Sequence, residues 1–193
     1  MYSWSMDTRN RLMDATRELL WERGYAATSP KDILSRANAG QGSMYHHFAG
    51  KQELAVAALE ESARSMRRDA QQVLDAGGST REVLAAYLRR QRDVLKGCRM
   101  GRMTFDADVL NSPELLQPVT DTFVWLLNAL AEIINHGIEQ GEFPQELNAR
   151  ELAALVVSTV QGGYVLARAT QDPVSFDAAV EGAIALLDKA TEA

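Results

Sequence analysis

The sequence predicts an all-α chain of about nine helices. Its apolar residues recur at helical spacing, and no run alternates with a period of two for long enough to make a strand. Glycines and prolines punctuate the chain at intervals suited to helices. The first helix should cover about 7–23, with Leu12, Ala15, Leu19 and Leu20 on one face. Gly24 ends it, because glycine accepts the left-handed conformation at a helix end. Pro30 suits a first helical position, with Ser29 capping ahead of it and Asp32 near the positive end, so a second helix runs to about Ala37. Asn38 tolerates a positive φ, and Gly40 and Gly42 sharpen the turn into a short third helix at about 42–48. A long helix follows from Lys51 to about Leu74 and is broken by Ala76-Gly77-Gly78-Ser79. Further helices fit about 80–96, 104–111, 113–140, 148–171 and 174–190, with Ser112 and Asn148 as caps. Gly97, Pro113, Gly141-Glu-Phe-Pro144 and Asp172-Pro173 separate them, and no internal repeat is seen.

Composition narrows the class. With 193 residues, 46% of them hydrophobic, the chain can build a core, and five prolines without a polar low-complexity tract argue against long disorder. One cysteine, Cys98, excludes an internal disulfide and fits a reducing compartment. The N-terminal residues lack the apolar run of a signal peptide. The apolar stretch from Leu152 to Ala169 contains Ser158, Thr159, Gln161, Gly162 and Arg168, which reads as too polar to span a membrane. A cytoplasmic protein is expected. The net charge of −6 is unevenly spread. Residues 1–52 carry seven Lys/Arg and five Asp/Glu, whereas the rest carry 13 basic and 21 acidic residues. The acidic bulk cannot lie along a phosphate backbone, but the N-terminal part can.

Residues 25–54 carry the function-bearing pattern: a short helix, a tight turn, a second short helix ending in aromatic residues, and a lysine opening the next helix. That is a helix-turn-helix, which places one helix in a DNA major groove. Gly42 and Ser43 lie at the start of the third helix, where free N–H groups and partial positive charge favour close approach to DNA. Ser43, Tyr45 and His46 are expected to reach base edges or phosphates. Met44 and Phe48, four apart, should face the other way and lock this helix onto the first. Thr28, Ser29 and Lys31, at the start of the second helix, are placed for the other groove wall. His47 reads as structural.

From Leu12 to Leu59 the chain resembles the TetR/AcrR family of transcriptional repressors. The resemblance lies in Glu22-Arg-Gly-Tyr25, Ala27-Thr28-Ser29, Asp32-Ile33, Ser43-Met-Tyr-His-His-Phe48 and Lys51-Gln-Glu-Leu54, in order and at family spacing. It implies a DNA-binding helix-turn-helix domain at 1–50 and a helical ligand-binding and dimerisation domain at 51–193. It implies a phosphate contact for Lys51, a pseudo-palindromic double-stranded operator, a homodimer, and release by a small molecule. Two positions depart from the family pattern. Gly40-Gln41-Gly42 stands where many relatives have Ser-Lys-Gly, so a phosphate contact is lost while Gln41 can read adenine through paired hydrogen bonds. Asn38 stands where relatives commonly have glycine and can adopt the same backbone.

The family places its dimer contact on the last two long helices. Two stripes fit: Leu152, Leu155, Val156, Thr159, Gly163 and Leu166, then Phe176, Ala179, Val180, Ala183, Ile184 and Leu187; both also suit the subunit's own core. An effector pocket is expected among the middle helices. Its candidate lining combines bulk with sparse polar groups: Met66, Tyr87, Gln91, Met100, Met103 and Phe105, then Phe123, Trp125, Asn128, His136, Gln161 and Tyr164. The segments Gly97-Cys98-Arg-Met-Gly101, Glu114-Leu115 and Gln161-Gly-Gly163…Leu166-Ala-Arg168…Asp172-Pro173 are similar to a branch that includes drug- and electrophile-responsive repressors. That similarity makes Cys98 a candidate electrophile or redox sensor, with Lys96, Arg99 or Arg102 favouring its thiolate; the alternative is an inert thiol. Asp106 and Asp108 are candidates to attract a cationic drug; the alternative is a solvated face. No catalytic constellation, phosphate loop, cofactor fingerprint or metal-ligand spacing occurs, so neither an enzyme nor a cofactor is expected. The remaining rival is a protein-interaction module with a weakened DNA head.

Overall fold

The computed structural model describes residues 2–191, and side chains from 8 to 190. Among the described residues there are ten helices and no strand: α1 Tyr2–Arg23, α2 Pro30–Ala37, α3 Gln41–His47, α4 Lys51–Leu74 and α5 Thr80–Arg89, then α6 Arg99–Met103, α7 Ala107–Leu110, α8 Pro113–Glu139, α9 Ala149–Thr170 and α10 Val174–Thr191. The chain forms two compact units, one of residues 1–65 and 99–122, the other of residues 66–98 and 123–193.

In the first unit, Leu12 and Leu19 of α1, Ile33 of α2, Met44 of α3, Phe48 and Leu54 make one buried cluster. Helix α2 begins with a capping box. Ser29 Oγ accepts from the Asp32 N–H at 3.2 Å, and the Asp32 carboxylate accepts from the Ser29 N–H at 2.9 Å. These Ser29 bonds hold the Asp32 carboxyl below its ordinary pKa, so the cap is complete above the carboxylate range and is lost as the pH falls through it. The α2–α3 turn pivots on Asn38 at φ 47°. Arg11 of α1 braces that turn by donating to the Ala37 and Asn38 carbonyls at 3.2 and 3.1 Å.

Residues 99–122 join this unit chiefly through Arg99 and Asp106. Arg99 donates to Glu18 at 2.6 Å and lies 3.8 Å from the Trp21 ring centroid. Asp106 caps α7, accepting from the Asp108 N–H at 3.1 Å, while its other oxygen accepts from the Ala26 N–H at 2.9 Å. The compact grouping therefore runs past the boundary expected at residue 50. It also gives Asp106 a buried structural role in place of the expected attraction for a cationic drug, and leaves Asp108 exposed.

Two element boundaries differ from expectation. The helix expected at 80–96 stops at Arg89, because Arg92 folds back and donates to the Tyr87, Leu88 and Arg90 carbonyls at 2.6, 2.8 and 2.8 Å. Those bonds serve carbonyls left open at the end of α5. The helix expected at 104–111 is shortened to Ala107–Leu110, opened by the Asp106 cap, and the short α6 ahead of it at Arg99–Met103 was not expected.

The second unit is built on Leu84 and Leu88 of α5, Leu130 and Ile134 of α8, Val156 and Val160 of α9, and Phe176, Val180 and Ile184 of α10. Two glycines allow close helix approach. A Cβ at Gly137 would lie 2.5 Å from Thr80 Oγ1, and one at Gly163 would lie 2.7 Å from the Phe176 ring. Helix α9 is long and apolar enough by length and composition alone to cross a membrane, with mean hydropathy 1.3 over 18 of its residues. Its buried face packs instead in this core, between α5 and α10.

Of the two stripes assigned to a subunit contact, most members belong to the subunit core: Leu152, Val156, Gly163, Phe176, Val180, Ile184 and Leu187 are buried. The exposed apolar face is rotated from them. It carries Leu155, Gly162, Val165, Leu166 and Ala169 on α9, and Val174, Ala178, Gly182, Ala185 and Leu186 on α10. A stripe of 3.6-residue period predicts that a face exists, but not which of two apolar faces on one helix is covered within the chain.

Gly163→Ala is expected to destabilise the protein by about 1–3 kcal/mol through overpacking against Phe176. Urea unfolding followed by circular dichroism measures this; an unchanged midpoint would contradict the close α9–α10 packing.

Candidate nucleic-acid interface

Helix α3 has one buried and one open face. Met44 is fully buried and Phe48, just past its end, is nearly so, as their spacing implied. Tyr45 is 56% exposed, and Gln41, Gly42 and His46 are exposed beside it, with Ser43 half-buried. The Phe48 ring receives the Arg9 guanidinium at 5.3 Å, which ties α1 to the end of α3. His47 is half-buried and stacked on His46 with ring centroids 4.9 Å apart, consistent with a structural place.

A surface groove between α2 and α3 brings together Ser29, Lys31, Gln41 and Tyr45, floored by Leu34 and Met44. Lys31 is exposed on its wall. Ser29 is exposed, but its hydroxyl is engaged with Asp32. Thr28 departs from expectation: it is buried, and its hydroxyl donates to the Gly24 carbonyl at 2.6 Å. The side chain fastens the α1–α2 loop and does not face outward. Lys51 is likewise committed within the fold. Its ammonium donates to the Tyr25 carbonyl at 2.8 Å and lies 3.8 Å from the Tyr25 ring centroid. Burial pushes its pKa down, opposed by Asp108 and Asp106. The structure thus groups Gln41, Gly42, Ser43, Tyr45, His46, Ser29 and Lys31 on the open side of two short helices. Thr28 holds them in place from inside, and Lys51, half-buried, is tied to Tyr25 beside them.

The twelve expected pocket residues divide between the two units. Met100 and Met103 are fully buried in the first unit, and Phe105 is 82% exposed there. Among those of the second unit, Gln91, Asn128 and His136 are exposed, while Met66, Phe123, Trp125 and Gln161 are half-buried. His136 lies 4.0 Å from Glu139 on the solvent side of α8. Exposed and core positions alternate so closely along α8 that residue type alone does not separate them. Only Tyr87 and Tyr164 share surroundings, both buried near Arg92, with Phe176 packed on Tyr164 at 5.1 Å. Sequence reasoning passed over Arg90 and Arg92 there. Their signal was a basic run, Arg89-Arg90-Gln91-Arg92, in the acidic part of the chain.

An exposed, polar α3 face on a braced helix-turn-helix, carried by an all-α body, defines a DNA-binding transcriptional regulator. Comparison with known proteins agrees. The chain belongs to the TetR family of bacterial regulatory proteins: that family's N-terminal model matches residues 12–58, and the tetracyclin repressor-like C-terminal domain model matches residues 78–183. The chain is 27% identical over 176 residues to an HTH-type transcriptional regulator of Mycobacterium tuberculosis, covering 88% of each. It is 26% identical over 122 residues to the HTH-type transcriptional repressor NemR of Escherichia coli, covering 60% of each. The crystal structure of a TetR transcriptional regulator from Chloroflexus aurantiacus superposes with a TM-score of 0.86 at 25% identity, covering 97% of both chains.

Lys31→Ala is expected to flatten the log–log salt dependence of DNA affinity by about 0.9, the share of one phosphate, without lowering the unfolding temperature. Lys51→Ala should lower the unfolding temperature, because it removes the tie to Tyr25. Fluorescence anisotropy across a salt series, with thermal melts of each variant, checks both. An unchanged slope for Lys31→Ala would remove that residue from the interface.

Proposed function

We propose that this protein is a ligand-responsive repressor that acts in the cytoplasm as a homodimer on a pseudo-palindromic operator. The observation that carries the reading is the open face of α3. Gln41, Ser43, Tyr45 and His46 are turned outward by the burial of Met44 and Phe48, and side chains of these types recognise base edges and phosphates. The repressor sense is supported by the similarity to NemR. Dimerisation is supported by the exposed apolar faces of α9 and α10, which suit a four-helix contact between two copies. Two heads then meet two half-sites, and a ligand in the 51–193 part acts by favouring a form in which the heads no longer fit them.

A second reading makes Cys98 the sensor of an electrophile. It is supported by the position of Cys98, half-buried against the core that also holds Tyr87 and Tyr164. If Cys98→Ser is released from DNA by electrophiles as readily as the wild type, that reading fails.

The main test is an electrophoretic shift on DNA from upstream of the protein's own coding region. A sequence-selective shift is expected, with His46→Ala losing selectivity more than affinity for random DNA. Leu166→Glu should give a monomer in sedimentation, with helicity intact and the selective shift lost. No shift at low salt with any upstream fragment would favour a protein-interaction module in place of a DNA reader.

A further inference from the structure

The turn that ends α5 concentrates positive charge in an unusual place. Arg90 and Arg92 both pack on the Tyr87 ring, at 5.4 and 5.3 Å, and Arg92 also lies 5.8 Å from the Phe176 ring centroid. The Nε of each is buried and without an acceptor. Three backbone carbonyls take up part of the Arg92 guanidinium. No carboxylate among the described residues forms an ion pair with either arginine.

Two like charges held together in partial burial, each with a buried Nε–H that lacks an acceptor and neither with a counter-ion, are costly unless an anion completes the site. Burial pushes the Arg92 pKa down and outweighs the neighbouring phenols. Burial pushes the Tyr87 and Tyr164 phenols up, so both keep their O–H donors at neutral pH.

Acidic groups are present at the rim but do not fill this role. Glu181 is held by Arg89 in two bonds of 2.7 and 2.5 Å, and Asp93 accepts from the Lys96 N–H at 3.3 Å. Asp177 stands in the first turn of α10 and lines the groove without an ion pair to either arginine. The groove here measures about 710 Å3 and adds Leu88, Val94 and Val180 as apolar lining. That size and mixture suit a small molecule with one anionic end.

We propose that Arg90 and Arg92 form a carboxylate-binding centre, and that the groove between the end of α5 and α10 takes a small monocarboxylic acid with an apolar body. The guanidinium fork matches carboxylate geometry, and Leu88, Val94 and Val180 accept the tail. This deepens the ligand-responsive reading above, and rests on it for the claim that the acid is the effector.

Titration calorimetry on the full chain without DNA tests it, with octanoate, octanamide and inorganic phosphate as probes. Octanoate should bind, and octanamide and phosphate should be weaker by about tenfold or more. Arg90→Gln should weaken octanoate by a similar factor of about ten while the unfolding temperature is kept. Because Arg92 also closes α5, Arg92→Lys is the second variant. It retains the charge, loses the fork, and should weaken octanoate without unfolding the protein. Absence of octanoate binding at millimolar concentration, or equal binding by the wild type and both variants, overturns the proposal. Phosphate binding as tightly as octanoate overturns the assigned ligand class. If octanoate binding depends on Arg90 but leaves operator affinity unchanged, the carboxylate centre stands and the ligand-responsive reading fails at this site.

Discussion

The burial of Met44 and Phe48 against α1 is the constraint on which the rest depends. Helix α3 has only seven residues, too few to be stable alone, so packing must hold it in shape. The same packing decides its orientation. With Met44 fully buried, Tyr45 and His46 have only the outward direction open to them. Arg11 then fixes the preceding turn through two carbonyls, and Arg9 covers the Phe48 ring. A polar surface is thereby carried on an apolar lock, and the polar residues can vary without loss of the fold.

That lock is supported from a distant part of the sequence. Residues 99–122 pack with the helix-turn-helix, through Asp106 on the Ala26 N–H and Arg99 on Glu18 and Trp21. Lys51 closes the other side of the loop on Tyr25. These contacts give the α1–α2 loop fixed neighbours, so a change in residues 99–122 has a direct physical route to the position of α2.

The N-terminal helices were legible because their signals are local. Ser29-Pro30 and Asp32 specify a cap, Asn38 and Gly40 specify a turn, and the Met44–Phe48 spacing specifies a buried side. Thr28 was misplaced because a hydroxyl before a cap looks the same in sequence whether it points out or back to the Gly24 carbonyl. The end of α5 was misplaced for a related reason. Helical periodicity continues past Arg89, and only the folded-back Arg92 shows where the helix stops. The pocket residues were the least legible. Aromatic residues and methionines have the same periodicity in a core as in a cavity, and it was the pair of arginines gathered on the Tyr87 ring that distinguished one place.

The central claim is that the open face of α3 touches DNA. Site-specific photo-cross-linking tests it most directly, with benzoylphenylalanine placed at Tyr45 and, for comparison, at the exposed Val124 of α8. On a duplex from upstream of the coding region, position 45 is expected to cross-link in a sequence-selective and salt-sensitive manner while position 124 does not. Cross-linking from position 124 with none from position 45, in protein that still shifts the duplex, would contradict the account.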